Sequence, residues 1–162
     1  MQDIQNHIEQ MINLHKRSLG HLNCCLEGFV QKFGQEFVAS PRPKRYTQGL
    51  PRHCYMNSAK LAMRSTKLVY VEGLASIKTI GLVIPHAWVV ELNSNRVIDV
   101  TSDGFKSYFG VAFKTHYVRE VWDSRKSEFS LLNNWQQNHP LLNMDFEQVL
   151  TLTEKIVSKS LL

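Results

Sequence analysis

Cys54, His86 and Asp99 follow one another along the chain, and a thiol, an imidazole and a carboxylate are the three groups that acyl transfer needs. A thiolate attacks the acyl carbon, an imidazole carries the proton to the leaving group, and a carboxylate fixes the imidazole's tautomer. Cys54 precedes a stretch in which Tyr55, Ala59, Ala62 and Met63 keep helical spacing, so it opens a helix running to about Ser65. A helix N-terminus presents unpaired N–H groups and about half a positive charge, which favours a thiolate and offers donors to an oxyanion. Packing is the commoner fate of a cysteine, because the residue type is among the most buried.

His86 follows Pro85 and opens a strand whose next residues on the same face are Trp88 and Val90. A single histidine is usually structural, so its partner decides the matter. Asp99 stands in Val-Ile-Asp-Val, where aspartate is disfavoured in a strand and needs something to bind. If Asn93 and Ser94 form a two-residue hairpin turn, Asp99 faces Trp88 and lies diagonal to His86, roughly 7–8 Å away between Cα atoms. A turn one residue later would carry Asp99 out of reach.

The positioning elements follow from periodicity and punctuation. Two amphipathic helices open the chain, one through Ile4, Ile8, Met11, Ile12 and His15, the other through Leu22, Leu26, Phe29, Val30, Phe33 and Phe37, with a break near Gly20. The segment from Ala39 to Arg52 holds Pro41, Pro43, Gly49 and Pro51 and reads as a loop ending beside Cys54. Four strands are expected at Leu68–Leu74, Ile84–Leu92, Arg96–Thr101 and Phe113–Trp122, and a last helix over 144–160 with Asp145 as N-cap and Gln148 three residues on. The class is α+β: an antiparallel sheet of about four strands packed against a central Cys-bearing helix, with further N- and C-terminal helices. At 162 residues one domain suffices, with a helical N-terminal part over 1–38, a core over 48–122 and the closing helix.

The run His86-Ala87-Trp88, followed by Val97-Ile98-Asp99-Val100-Thr101, resembles the His-Ala-Trp and Asp-x-Thr signature of the transglutaminase-like superfamily, within the papain-like cysteine peptidase fold. A cysteine on a helix some thirty residues earlier belongs to that order, and the resemblance extends over roughly Gln48 to Phe113. Tyr70 to Gly73 and Tyr108 to Val111 resemble features of small bacterial and phage proteins of that group. The resemblance implies a papain-like fold, with Cys54 as nucleophile, His86 as general base and then acid, Asp99 as its orienter, and Trp88 as a shield against water. Gln48, six residues before Cys54, is similar in spacing to the oxyanion-hole glutamine of papain-like peptidases; otherwise it is a solvated loop amide. His53 and Tyr55, flanking Cys54, depart from the Gly or Ser and the Trp or Phe of well-known members, and would shape the substrate pocket. Glu72, in an apolar strand, either faces the site as a substrate binder or supporting acceptor, or points to water on an edge strand.

The implied function is a cysteine-dependent acyl-transfer enzyme working through a thioester, foremost a peptidase or amidase on a protein or peptide. A glutamine deamidase or a transglutaminase would use the same triad. Two other classes stay open: a non-catalytic papain-like scaffold binding an acidic partner or nucleic acid, and a regulator using Cys54 as a redox sensor.

Net charge is +5, which gives an acidic partner or nucleic acid a hearing, the basic residues Arg42, Lys44, Arg45 and Arg52 being gathered in one loop. Such a run is more often a solvated loop, so nucleic acid is the lesser reading. With 43% hydrophobic and 20% charged residues the chain belongs with packed domains rather than disordered ones. The first twenty residues mix charges among apolar positions, unlike a signal peptide, and three cysteines argue against a disulfide framework, so a cytoplasmic protein is expected. No cofactor is expected and no metal: a site from His21, Cys24, Cys25, His53 and Cys54 would rest on adjacent pairs unlike zinc-ligand spacing. Cys24 and Cys25 are read as structural.

Overall fold

The computed structural model describes residues 1–19, 25–125, 129–134 and 137–157. Helix α1 (Gln2–Leu19) sets Ile4, Ile8 and Ile12 on one face, which is buried against Leu74 and Val83. Helix α2 (Leu26–Phe33) follows, then strand β1 (Gln35–Phe37), helix α3 (Cys54–Ala62), strands β2 (Leu68–Ile77), β3 (Val83–Glu91), β4 (Val97–Ile98) and β5 (Phe105–Phe113), and helix α4 (Thr115–Arg125). A 3-10 turn at Pro140–Asn143, helix α5 (Phe146–Leu152) and strand β6 (Thr153–Glu154) complete the described order. The chain is α+β, with an antiparallel sheet in the order β1-β5-β2-β3-β4 and β6 beside β5.

The two faces of the sheet carry separate cores. One, built from Tyr70, Ala87, Val89, Val111 and Phe113, is covered by α3 through Ala59 and Ala62 and by Phe129, Leu131 and Leu132. The other gathers Phe37, Val71, Trp88, Val90, Phe105 and Tyr108. Because β2 is buried on both faces, it reads as a nearly continuous apolar run instead of an alternation.

Several expectations are corrected. The sheet has six strands among the described residues, not about four. Of the strand expected at 113–122, only Phe113 is extended, as the end of β5, and residues from Thr115 on form α4, since Tyr117, Val118, Val121 and Trp122 repeat at helical spacing and pack on the core from one side. The strand that precedes it, β5, escaped notice because Lys106, Ser107 and Gly110 interrupt its apolar pattern. The second helix stops at Phe33, where Gly34 N–H closes on Val30 O at 2.8 Å, and the chain becomes β1, so 1–38 is not wholly helical. A side chain on Gly34 would lie 2.4 Å from Val30 O, so the close approach requires glycine. The break near Gly20, like Leu22 and Cys24, lies outside the described residues. The last helix is shorter than 144–160: the Asp145 and Gln148 capping box is present, but after Leu152 the chain is drawn into β6 against β5. Residues 158–160 fall outside the description.

The His86 hairpin has the register that sets Asp99 opposite Trp88, with Val89 facing Ile98 and Val90 facing Val97. Its turn is placed differently from the two-residue reading: Ser94 N–H donates to Glu91 O at 2.9 Å, and Asn95 turns outward so that its carbonyl accepts from Val38 N–H at 2.8 Å. Strand β4 is shorter than Arg96–Thr101, because the Asp99 carboxylate caps the backbone ahead of it and leads the chain off the ladder.

Candidate active site

Cys54 is the first residue of α3, so its N–H has no acceptor within the helix. The helix is aimed by Ser58, whose hydroxyl donates to Ala87 O at 3.0 Å, and by Asn57, which donates to Leu50 O at 2.8 Å and to Thr101 Oγ1 at 3.0 Å. These bonds tie the Cys54 end of α3 both to β3 beside His86 and to the turn after Asp99. His53 is the N-cap without a capping side-chain bond; its Nδ1 pairs with Pro51 O at 2.8 Å. Arg52 before it has φ 63°, a left-handed conformation uncommon for a side-chain-bearing residue, which marks the sharp entry to the helix.

His86 is buried, its ring 4.4 Å from that of Phe105 between centroids, on the face shared with Trp88. Its Nε2 meets Asp99 Oδ2 at 2.7 Å. The Cys54 thiol lies near enough to the same ring to act on its protonation. With Nε2 committed to the carboxylate, Nδ1 is the nitrogen left for sulfur, the reverse of the ring use in the serine-protease triad. Burial pushes the His86 pKa down, but the bond to Asp99, the Cys54 contact and the Asp99 charge outweigh it and raise the imidazole to about 9. Burial also pushes the Asp99 carboxyl up; the His86 contact and the N–H groups of Thr101 and Ser102 overcome it and hold the acid below its ordinary range.

The carboxylate is fixed at both oxygens. Oδ1 accepts from Thr101 N–H at 2.8 Å and Ser102 N–H at 3.0 Å, while Oδ2 takes His86 and the Tyr108 hydroxyl, the latter at 3.1 Å. Sequence reasoning missed Tyr108 as a partner of Asp99. Only its place across the sheet, opposite Ala75 on β2, carries it there. The structure thus brings Cys54, His86 and Asp99 together.

The remaining residues fall in different places. Trp88 is fully buried beneath His86, ring centroids 6.3 Å apart, and packs edge-on to Tyr108 and Phe37. Gln48 is exposed, and its amide nitrogen donates at 3.3 Å to the carbonyl of Thr101, whose N–H anchors the carboxylate. Tyr55 points into the core beside Glu72, and burial above all pushes its hydroxyl pKa well up, with a bond from Asn133 opposing. Glu72 lies on the central strand β2 with 1% exposure, not on an edge. Its oxygens accept from Tyr70 hydroxyl at 2.5 Å, Ser130 hydroxyl at 3.1 Å, Leu131 N–H at 2.6 Å and Leu132 N–H at 2.8 Å. It therefore ties residues 130–132 to the sheet, and burial raises its pKa against those four donors.

In the basic loop, Arg42 pairs with Asp103 at 3.1 Å and Arg45 pairs with Glu91, while Lys44 and Arg52 are exposed. Arg42 and Lys44, with Lys78 and Lys106, line a cleft of about 700 Å³ whose wall includes Phe105 and Tyr108, the neighbours of His86 and Asp99. No helix among the described residues is long and apolar enough to cross a membrane. Compared with known proteins, the chain matches no family model, no curated protein and no solved structure significantly. The chemistry of the site is therefore argued from its geometry.

Proposed function

We propose that this chain is a cysteine-dependent acyl-transfer enzyme of papain-like type, with Cys54 as nucleophile, His86 as proton carrier and Asp99 as orienter, and that it hydrolyses an amide or peptide bond. One observation carries the reading: a buried imidazole held at 2.7 Å by a carboxylate whose other oxygen is locked by backbone N–H groups, next to a cysteine opening a helix. A structural histidine needs no carboxylate so completely fixed. Attack by the Cys54 sulfur forms a C–S bond and places negative charge on the carbonyl oxygen, where the Cys54 N–H can donate. The His86 imidazolium, favoured at neutral pH by its raised pKa, gives its proton to the departing amine as the C–N bond breaks. Water then attacks the thioester, His86 takes its proton, and the carboxylic acid and the thiolate are released.

Gln48 would add a second oxyanion donor, since its amide nitrogen carries two N–H groups and one is enough for Thr101 O. Lys44 and Lys78, in the cleft whose wall includes Tyr108, favour a substrate that carries negative charge at a distance from the scissile bond. The test is mass spectrometry of a peptide library after incubation, together with labelling by an amide-based electrophile. Cleaved, deamidated or crosslinked products distinguish hydrolysis, deamidation and transamidation, and Cys54→Ala should abolish both product and label. Product formation unchanged in Cys54→Ala, or a thiol that no electrophile reaches, would overturn the assignment. Binding of an acidic partner that survives triad substitution and weakens with salt would favour the scaffold reading instead.

A further inference from the structure

A second cluster of reactive side chains lies where the two opening helices meet, apart from Cys54. We propose that His15, Cys25 and Glu27 form a zinc site that staples α1 to α2. Their ligand atoms, the imidazole nitrogen, the thiol sulfur and a carboxylate oxygen, lie within 4.8 Å of one another, and Cys25 and Glu27 are buried. Ligand atoms around a tetrahedral zinc are separated by about 3.3–3.8 Å, so no pair has to close by more than about 1.5 Å.

The surroundings prepare all three groups. His15 Nδ1 bonds the carbonyl of Met11 at 2.8 Å, one helical turn back, which requires the proton on Nδ1 and leaves Nε2 as a lone-pair donor. A ligand histidine characteristically spends its other nitrogen in this way. Cys25 Sγ accepts the N–H of Gly28 at 3.3 Å as the N-cap of α2, a contact that suits a thiolate. Glu27 is a carboxylate with 8% exposure whose neighbour is His7, Nε2 to Oε1 at 3.5 Å. His7 is thus placed as a fourth ligand or as the carboxylate's orienter.

Charge favours a divalent ion. One thiolate, one carboxylate and one neutral imidazole balance Zn²⁺, so a buried site would carry no net charge. The mixed sulfur, nitrogen and oxygen set suits zinc rather than magnesium or calcium, which prefer oxygen alone. Binding displaces the Cys25 thiol proton to solvent, so uptake weakens as pH falls. The gain is mechanical: α1 holds to the sheet through Ile4, Ile8 and Ile12 against Leu74 and Val83 and through Asp3, which pairs with Ser76 and Lys106, and the ion would add a tie from α1 to α2.

The site is independent of the acyl-transfer reading and is tested in the full chain carrying Cys54→Ala. Titration with Co²⁺ should reach one equivalent and give a thiolate-to-cobalt charge-transfer band that Zn²⁺ displaces. Zn²⁺ at a hundredfold excess over its Kd should raise Tm by about 5–10 °C. Cys25→Ser should abolish the band, and His15→Gln, at a half-buried position, should weaken binding at least tenfold with the far-ultraviolet spectrum unchanged. Absence of the band and of the Tm rise would overturn the proposal. So would a band that needs Cys54, or one that survives Cys25→Ser and disappears with Cys24→Ser.

Discussion

Replacing Asp99 with Asn should remove the His86 imidazolium altogether and not merely weaken one contact. Asp99 Oδ1 accepts from the N–H groups of Thr101 and Ser102 at 2.8 and 3.0 Å, and neither backbone donor can reverse. The asparagine must therefore leave its carbonyl oxygen there and turn its NH2 toward His86 Nε2. An N–H can donate only to a bare nitrogen, so the ring becomes neutral with its proton on Nδ1, toward Cys54. Without the carboxylate only the Cys54 contact opposes burial, and the imidazole falls from about 9 toward its ordinary value near 6.5. At about 1.4 kcal/mol per pH unit, that loss is on the order of 3 kcal/mol.

The sign fixes the pH window. A histidine whose folded pKa is raised contributes its stability in full below about 6.5 and loses it as pH rises through about 9. The variant's deficit should thus be largest near pH 6 and shrink by roughly 3 kcal/mol near pH 10. Urea unfolding of both proteins at the two pH values measures it, and an NMR titration of the His86 ring follows the proton directly. Acylation of Cys54 should slow by about 10²–10⁴, the scale of the corresponding change in a serine triad. A His86 midpoint still near 9 in the variant, or a deficit independent of pH, would refute the reasoning.

Glu72→Gln should destabilise by about 2–3 kcal/mol, because an amide NH2 at either oxygen position meets a backbone N–H, of Leu131 or of Leu132, that cannot turn away; hydrogen exchange over residues 129–134 should rise with it. Gly110→Ala should cost about 1–3 kcal/mol, since the new methyl would lie 2.6 Å from Glu72 O and 2.7 Å from Trp88 Cη2 and would press the indole beneath His86; near-ultraviolet circular dichroism reads the aromatic packing and denaturation the stability. Tyr108→Phe removes a donor to Asp99 Oδ2 and should cost about 1.5–3 kcal/mol without loss of the His86 contact; a larger pKa change at His86 than in Asp99→Asn would contradict that ranking.

The chemistry-bearing residues were legible because each violates the local pattern around it. Asp99 is an acid in an apolar strand, and His86 opens one. Helix α1, the start of α3 and most of β2 and β3 were legible as well, since each presents one clear period over enough residues. Residues 105–125 were not, because β5 is buried on both faces and α4 is short and rich in aromatic and β-branched residues.

What the sequence by itself determined was which side chains, Cys54, His86 and Asp99, could do chemistry, and a pattern that can make His86 and Asp99 neighbours within one hairpin. Local spacing fixes the face there, because strand pairing has a period of two, and the structure supplies the register. Tertiary structure alone decided that α3 brings Cys54 to the ring, and that Tyr108 on β5 reaches Asp99 at the end of β4, two strands lying between them in the sheet order. It also decided that Glu72 is a buried tie and that His15 meets Cys25 and Glu27. Those contacts join residues distant in sequence or on separate elements, and their geometry is set by how helices and sheet pack.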